Sequence, residues 1–296
     1  MNAILYLTYP LNAIIILSLA LGLGVWVTRH FKLGWRLFWI GSTTFVLSQI
    51  GHIPFNIYIL NPFLDRIALP ALQETWRTPF VALSAGLSAG VFEEFARYAV
   101  YRWWARGARS IPKGILFGAG HGGIEAIIVA ILVLLTFIQM LALQGGDLST
   151  IVPPQQITTV ERAIHAYWSA TWYDSLLGAI ERALALPIQV ALSVLVLQAF
   201  IRGQVRWLVV AIGWHTLVDG LAYYTLQTRG PYTAEGIVGL LAVLSIAVVW
   251  VLYKQEPEPS RGHDEEVQRE PARLVDLKSP DITQDMIDRT RYFDRP

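Results

Sequence analysis

Apolar residues run through this sequence in blocks of twenty or more, separated by short polar turns, and do not alternate with polar ones. A helix crossing the hydrocarbon core needs about 20 predominantly apolar residues. Seven segments meet that pattern, at 5 to 28, 37 to 60, 78 to 101, 113 to 143, 174 to 201, 207 to 227 and 235 to 253. The pattern predicts an all-α, polytopic membrane helix bundle with about seven transmembrane helices. The fourth segment is long enough to tilt or to extend past the bilayer. The longest connection, Gln144 to Tyr173, carries Ile157, Val160, Ile164, Tyr167 and Trp168 at helical spacing. That spacing fits an amphipathic helix, lying on the membrane surface or packed against the bundle.

Composition agrees, with 54% hydrophobic and only 15% charged residues and a mean hydropathy of +0.45. Charge is concentrated in residues 254–296, which are predicted to form a charged, largely disordered cytoplasmic tail, with a short helix around Ile282 to Tyr292. Residues 1–253 then form the membrane domain. A net charge of +1 leaves no broad basic surface, so nucleic acid is not an expected partner. The chain has no cysteine, which excludes disulfides, thiolate ligands and a cysteine nucleophile. No Lys or Arg precedes the first apolar block and no small-residue cleavage site is evident, so this block reads as a membrane helix and not a removable signal. Lys and Arg crowd alternate turns: Arg29, Lys32, Arg36, Arg102, Arg106, Arg109, Lys113, Arg202, Arg206 and Lys254 on one side, against Arg66, Arg77, Arg162 and Arg229 on the other. The positive-inside rule places the richer side in the cytoplasm, with the N-terminus outside and the C-terminus inside.

Four segments carry ionisable residues that the hydrocarbon core makes expensive, at about 2.5 to 3.5 kcal/mol each on insertion scales. These are Glu93, Glu94 and Arg97 in the third, His121 and Glu125 in the fourth, Glu181, Arg182 and the neutral Gln189 in the fifth, and His215 and Asp219 in the sixth. Glu93, His121 and His215 each lie about eight residues from the cytoplasmic end of their segment, or about 12 Å at 1.5 Å per residue. Costly groups at one level on three helices point to a shared site, whose cavity Gln189 is placed to line. Glu93 and Arg97, His121 and Glu125, and His215 and Asp219 are each four apart and share a helix face. The plainer reading of Glu93 or Glu94 is an ion pair with Arg97 or Arg102, and Glu181-Arg182 reads as structural. His52, beside Pro54, fits either a site or a structural role. Glycines 118, 120, 122 and 123 strip side chains from the face around His121, for close packing or substrate approach.

A carboxylate and two imidazoles can activate water, by general-base catalysis or through a bound metal. Peptide hydrolysis fits both routes. Without metal, Glu93 or Glu94 takes the water proton beside His121, while His215 and Asp219 serve the developing oxyanion. With zinc, His121, His215 and Glu93 are the candidate ligands and the second glutamate is the base. No HExxH occurs.

Glu93-Glu94-x-x-Arg97, Phe117-x-x-x-His121 and His215-x-x-x-Asp219, in successive helices, resemble the signature of the CAAX-protease and bacteriocin-processing superfamily of intramembrane proteases. Glu-Glu-Phe-Ala-Arg-Tyr, Gly-His-Gly-Gly-Ile-Glu-Ala and Glu181-Arg182-x-x-Ala185 resemble its bacterial YhfC-type branch of intramembrane metalloproteases. The likeness covers about residues 1 to 253. It implies an endopeptidase of a prokaryotic cytoplasmic membrane, acting on membrane-anchored peptides or proteins, in which Glu93 is base or metal-site residue, His121 its partner, and His215 and Asp219 complete the site. The branch pattern has a histidine where this chain has Gln189, a poor zinc ligand, and an asparagine is common where it has Asp219. Two other readings use the same residues: an ion-coupled carrier in which acids and histidines relay protons, although no inverted repeat is evident, and an inactive relative that binds a membrane partner. The seventh segment has no lysine before Lys254, which leaves a retinal Schiff base without an anchor.

Overall fold

The computed structural model describes residues 3–256, whose regular structure is all helical, with no strand among them. The expected tail lies, beyond its first three residues, outside the described part. Eight main helices follow in order: α1 (Leu5–His30), α2 (Arg36–Phe55), α3 (Glu74–Trp103), α4 (Ile111–Gly145), α5 (Ile157–Ser169), α6 (Leu177–Ile201), α7 (Arg206–Arg229) and α8 (Pro231–Lys254). Among the described residues, four stretches are long and apolar enough to cross a membrane: Leu5–His30, Ile111–Gly145, Asp174–Ile201 and Pro231–Lys254. The remaining long helices, α2, α3 and α7, are interrupted by polar positions, and they supply much of the candidate chemistry.

The helices run up and down between two ends. At one end Arg202 Nη2 donates to Gln255 Oε1 at 2.8 Å, the Ile111 N–H donates to Glu256 Oε1 at 2.8 Å, and the Arg109 guanidinium lies 4.7 Å over the Phe200 ring. This joins the C-terminal ends of α3, α6 and α8 to the start of α4, and the basic turns gather there. At the other end Ser175 Oγ donates to Thr8 Oγ1 at 2.7 Å and Tyr232 hydrogen-bonds Asp174. Between the ends, large apolar side chains such as Leu7, Ile50, Leu132, Val209 and Val243 face outward. An apolar belt of this kind is stable against lipid tails and not against water.

The second segment winds further than the pattern predicts. Beyond Phe55 the chain continues through two wide, π-type turns, Asn56–Leu60 and Leu64–Ala68, each followed by a single α-turn, and reaches Ala71. Pro62 and Pro70 have no N–H to give to a preceding carbonyl, and each stands in the α-turn that follows a wide one, Asn61–Phe63 or Leu69–Ala71. The connection after α4 contains the expected amphipathic helix, α5. Its apolar side turns toward the bundle: Trp168 is buried and stacks on Tyr6 at 4.5 Å, and Tyr167 stacks on Tyr9 at 4.0 Å.

In lipid, apolar burial does not drive helices together, so close backbone approach and polar contacts must do so. The central helix is α6, which touches α1, α3, α4, α7 and α8. Two glycines let α2 and α4 cross nearly backbone to backbone. A Cβ on Gly41 would stand 2.0 Å from the Phe117 carbonyl oxygen, and one on Gly120 would stand 1.9 Å from that of Phe38. Since His121 follows Gly120, this crossing fixes how far His121 projects toward α3. Adding one methyl here forces the helices apart, and overpacking of this kind costs about 1 to 3 kcal/mol. Gly120→Ala should therefore lower the thermal midpoint of the detergent-solubilised protein by several degrees. Gly22→Ala, at a glycine with nothing within 4 Å of its would-be Cβ, should not; equal midpoints for the two variants would contradict the close crossing.

Candidate active site

Arg97 sits at the centre of a polar cluster inside the apolar bundle, with none of its surface exposed. A guanidinium cannot be deprotonated in a protein, so its charge must be compensated where it stands. Its partners come from two helices. Glu94, three residues earlier on α3, forms the tight ion pair, Gln189 Oε1 of α6 accepts a second hydrogen bond, and Glu93 Oε2 lies 3.5 Å away. The spacing argument joined Arg97 to Glu93, but the closer contact is with Glu94. Two adjacent carboxylates are thereby divided between tasks, and Glu93 is left to face α4.

Glu93 and His121 meet across that gap, with His121 Nε2 3.1 Å from Glu93 Oε2. Both side chains are buried. His121 Nδ1 has no hydrogen-bond partner among the described residues, so the imidazole is held from the Glu93 side alone. The expected pair of His121 with Glu125 does not form. Glu125 instead accepts from Arg182 Nη1 at 2.7 Å and from Gln189 Nε2 at 2.8 Å. A fixed cation outcompetes a neutral ring for a carboxylate, and charge-assisted contacts are roughly twice as strong as neutral ones. Glu181, half exposed, completes this second cluster at 2.5 Å from Arg182.

His215 is buried between carboxylates from two helices: Nδ1 lies 2.7 Å from Glu94 Oε1, and Nε2 lies 3.3 Å from Asp219 Oδ2. The His215 and Asp219 pair expected from spacing is thus present. The Asp219 side chain is 44% exposed, so it is the partner free to turn away. Gln189 links the two clusters, accepting from Arg97 and donating to Glu125. A neutral histidine at this position would also have one acceptor and one donor, and glutamine meets both demands. Beside these groups lies a cavity of about 90 Å³, lined in part by Glu125, Arg182, Gln189, His215 and Asp219. At about 30 Å³ of liquid volume per molecule, it has room for about three waters with polar partners.

Three further residues belong to the cluster. Gln49 Nε2 donates to Glu93 Oε1 at 3.3 Å, while Gln49 Oε1 faces His52 Nδ1 at 3.3 Å and His52 Nε2 faces Asn56 Nδ2 at 2.9 Å. Their spacing, three and then four residues apart on α2 and the first residue after it, puts all three on one face, which is the signal that points to them. Uncharged amides within an apolar segment attract less notice than charges do.

The donor set is of a kind that zinc accepts, but its arrangement does not fit a zinc ion. Among the described residues, no three His, Asp or Glu side chains converge on one point. Both ring nitrogens of His215 lie against carboxylate oxygens, and the Arg97 guanidinium already takes up the negative charge of Glu94. A second cation at the same carboxylates would have to displace it.

Residues 14–242 match the family described as YhfC intramembrane metalloprotease, a range that contains every residue of both clusters. The chain is also 31% identical, over 257 residues, to the uncharacterized membrane protein YhfC of Bacillus subtilis strain 168, covering 82% of this chain and 93% of that one. No solved structure matches. With the family match spanning more than half of the chain and a relative 31% identical over most of both chains, the chain is an integral membrane protein that belongs to the YhfC intramembrane metalloprotease family.

Proposed function

We propose that the protein is an endopeptidase that hydrolyses peptide bonds of membrane-anchored or membrane-inserted substrates, with Glu93 as the general base. The observation that carries this reading is the buried contact of Glu93 with His121, beside the His215 and Asp219 pair, which helps to line a small polar cavity. Glu93 takes a proton from a water as its oxygen attacks the substrate carbonyl carbon. His121, hydrogen-bonded to the same carboxylate, keeps the base oriented as its charge changes. His215, clamped at Nδ1 by Glu94, turns Nε2 from Asp219 toward the developing oxyanion. The proton held by Glu93 then passes to the amine as the C–N bond breaks, leaving a carboxylate and an amine. The gathering of basic turns at one end supports a cytoplasmic location for that end, with seven spans, the N-terminus outside and the C-terminus inside. Glu93, His121 and His215 lie nine or ten residues from the ends of their helices, or about 13 to 15 Å below that surface.

Glu93→Gln keeps the size and one acceptor oxygen of the side chain but removes its charge and basicity, and it should lower cleavage by about 10²-fold or more. Comparison of membrane-protein N-termini from cells expressing wild type and Glu93→Gln at equal abundance reads this directly. New N-termini in or beside membrane segments are expected with wild type alone; identical sets would contradict the assignment. Because no step is routed through a metal, membranes treated with 1,10-phenanthroline should keep their cleavage rate. Loss of cleavage that is restored by added zinc would place a metal in the mechanism.

A further inference from the structure

The contacts on α2 continue past Asn56 and return to α3. Ser88 Oγ donates to Asn56 Oδ1 at 2.7 Å, and Ser88 lies five residues before Glu93 on the same helix. The result is a bridge that leaves α3 at Ser88, passes through Asn56, His52 and Gln49 on α2, and re-enters α3 at the Glu93 carboxylate.

Each link has a direction, and the directions agree. The ionised Glu93 carboxylate can only accept, so Gln49 must present Nε2 to Oε1. The second Nε2 hydrogen points at Ser48 Oγ, 3.3 Å away, whose own proton goes to the Phe45 carbonyl at 2.6 Å. Gln49 Oε1 is then turned to His52 and needs a donor there, which requires a proton on Nδ1. A neutral ring protonated at Nδ1 has an acceptor at Nε2, and Asn56 Nδ2 supplies the N–H. Asn56 Oδ1 is left to accept from Ser88. Reversing Gln49 would set a carbonyl oxygen against a carboxylate oxygen and would force every later link to reverse. The His52 ring is also held in plane by stacking on Phe92, at 5.4 Å and 25°.

We propose that His52 is a positioning residue for Glu93, acting through Gln49, and that its Nδ1–H tautomer fixes which end of the Gln49 amide meets the base. Aligned links polarise one another, so the donor reaching Glu93 is stronger than an isolated amide. With Oε1 held from α2 and Oε2 held by His121 from α4, the carboxylate plane is fixed from both sides. A base that must meet water and substrate together is sensitive to such placement, and a misplacement of about 1 Å can cost about 10²-fold in rate.

This assignment rests on the proteolytic reading for its consequence but not for its existence, and two measurements separate them. In bilayers containing isotope-labelled histidine, solid-state NMR should show the His52 signal, identified by its absence in His52→Asn, as the Nδ1–H tautomer in wild type. In Gln49→Leu the same signal should lose that state. A wild-type ring protonated at Nε2, or one unaffected by Gln49→Leu, would overturn the bridge whether or not the protein cleaves anything. The kinetic arm uses a membrane substrate whose new N-terminus depends on wild-type protein. His52→Leu should lower kcat by about tenfold or more and leave KM within about twofold. His52→Asn, which keeps an N–H near Nδ1, should restore kcat to within about threefold of wild type. Equal losses in both variants, or a change confined to KM, would make His52 a packing residue. If Glu93→Gln still cleaves while the tautomer is as stated, Glu93 is not the base and the bridge stands.

Discussion

The burial of Arg97 is the constraint on which the rest of the structure depends. A permanent cation placed inside an apolar bundle is tolerable only if partners are built around it, and removing one partner from a buried pair typically costs about 3 to 5 kcal/mol. Glu94 supplies the opposite charge and thereby also receives His215 from α7. Gln189 supplies a neutral acceptor and hands its N–H to Glu125, which is held in turn by Arg182. One cation therefore organises α3, α4, α6 and α7 into a single polar layer. Glu93 lies farther from the arginine, at 3.5 Å, and meets His121 of α4.

Much of this was legible from the sequence because lipid makes polar positions conspicuous. Block length predicted the long helices, and the equal depth of Glu93, His121 and His215 predicted that α3, α4 and α7 share a polar layer. Spacing within a helix was a weaker guide. It joined Arg97 to Glu93 and His215 to Asp219, which do lie within ion-pair distance, but Arg97 is closer to Glu94, and the expected pair of His121 with Glu125 gives way to contacts between helices. Four-residue spacing shows only that two groups can meet. Which of them do meet is decided by competing charges on neighbouring helices, and Arg182 could not be assigned to Glu125 before α4 and α6 were packed.

The α2 face was harder to read for two reasons. Gln49, His52 and Asn56 carry no fixed charge, and the helix that bears them departs from regular winding at Asn56, where the wide turns begin. The apolar block ended at Leu60, but the winding goes on through Pro62 and Pro70 to Ala71. The glycines near His121 were legible as sites of close packing, and the partner helices were not: Gly120 serves the crossing with α2, and Gly118 and Gly122 face α6.

Packing, charge compensation and hydrogen-bond direction thus converge on one carboxylate in an apolar setting, and the central claim is that it activates water to break a peptide bond. The most direct test is to incubate membranes containing the active protein in H₂¹⁸O and examine the new C-termini by mass spectrometry. Hydrolysis by an activated water predicts one ¹⁸O in each new carboxylate produced by wild type and none accumulating with Glu93→Gln. Cleavage products without the label, or the same labelled products from Glu93→Gln, would contradict it.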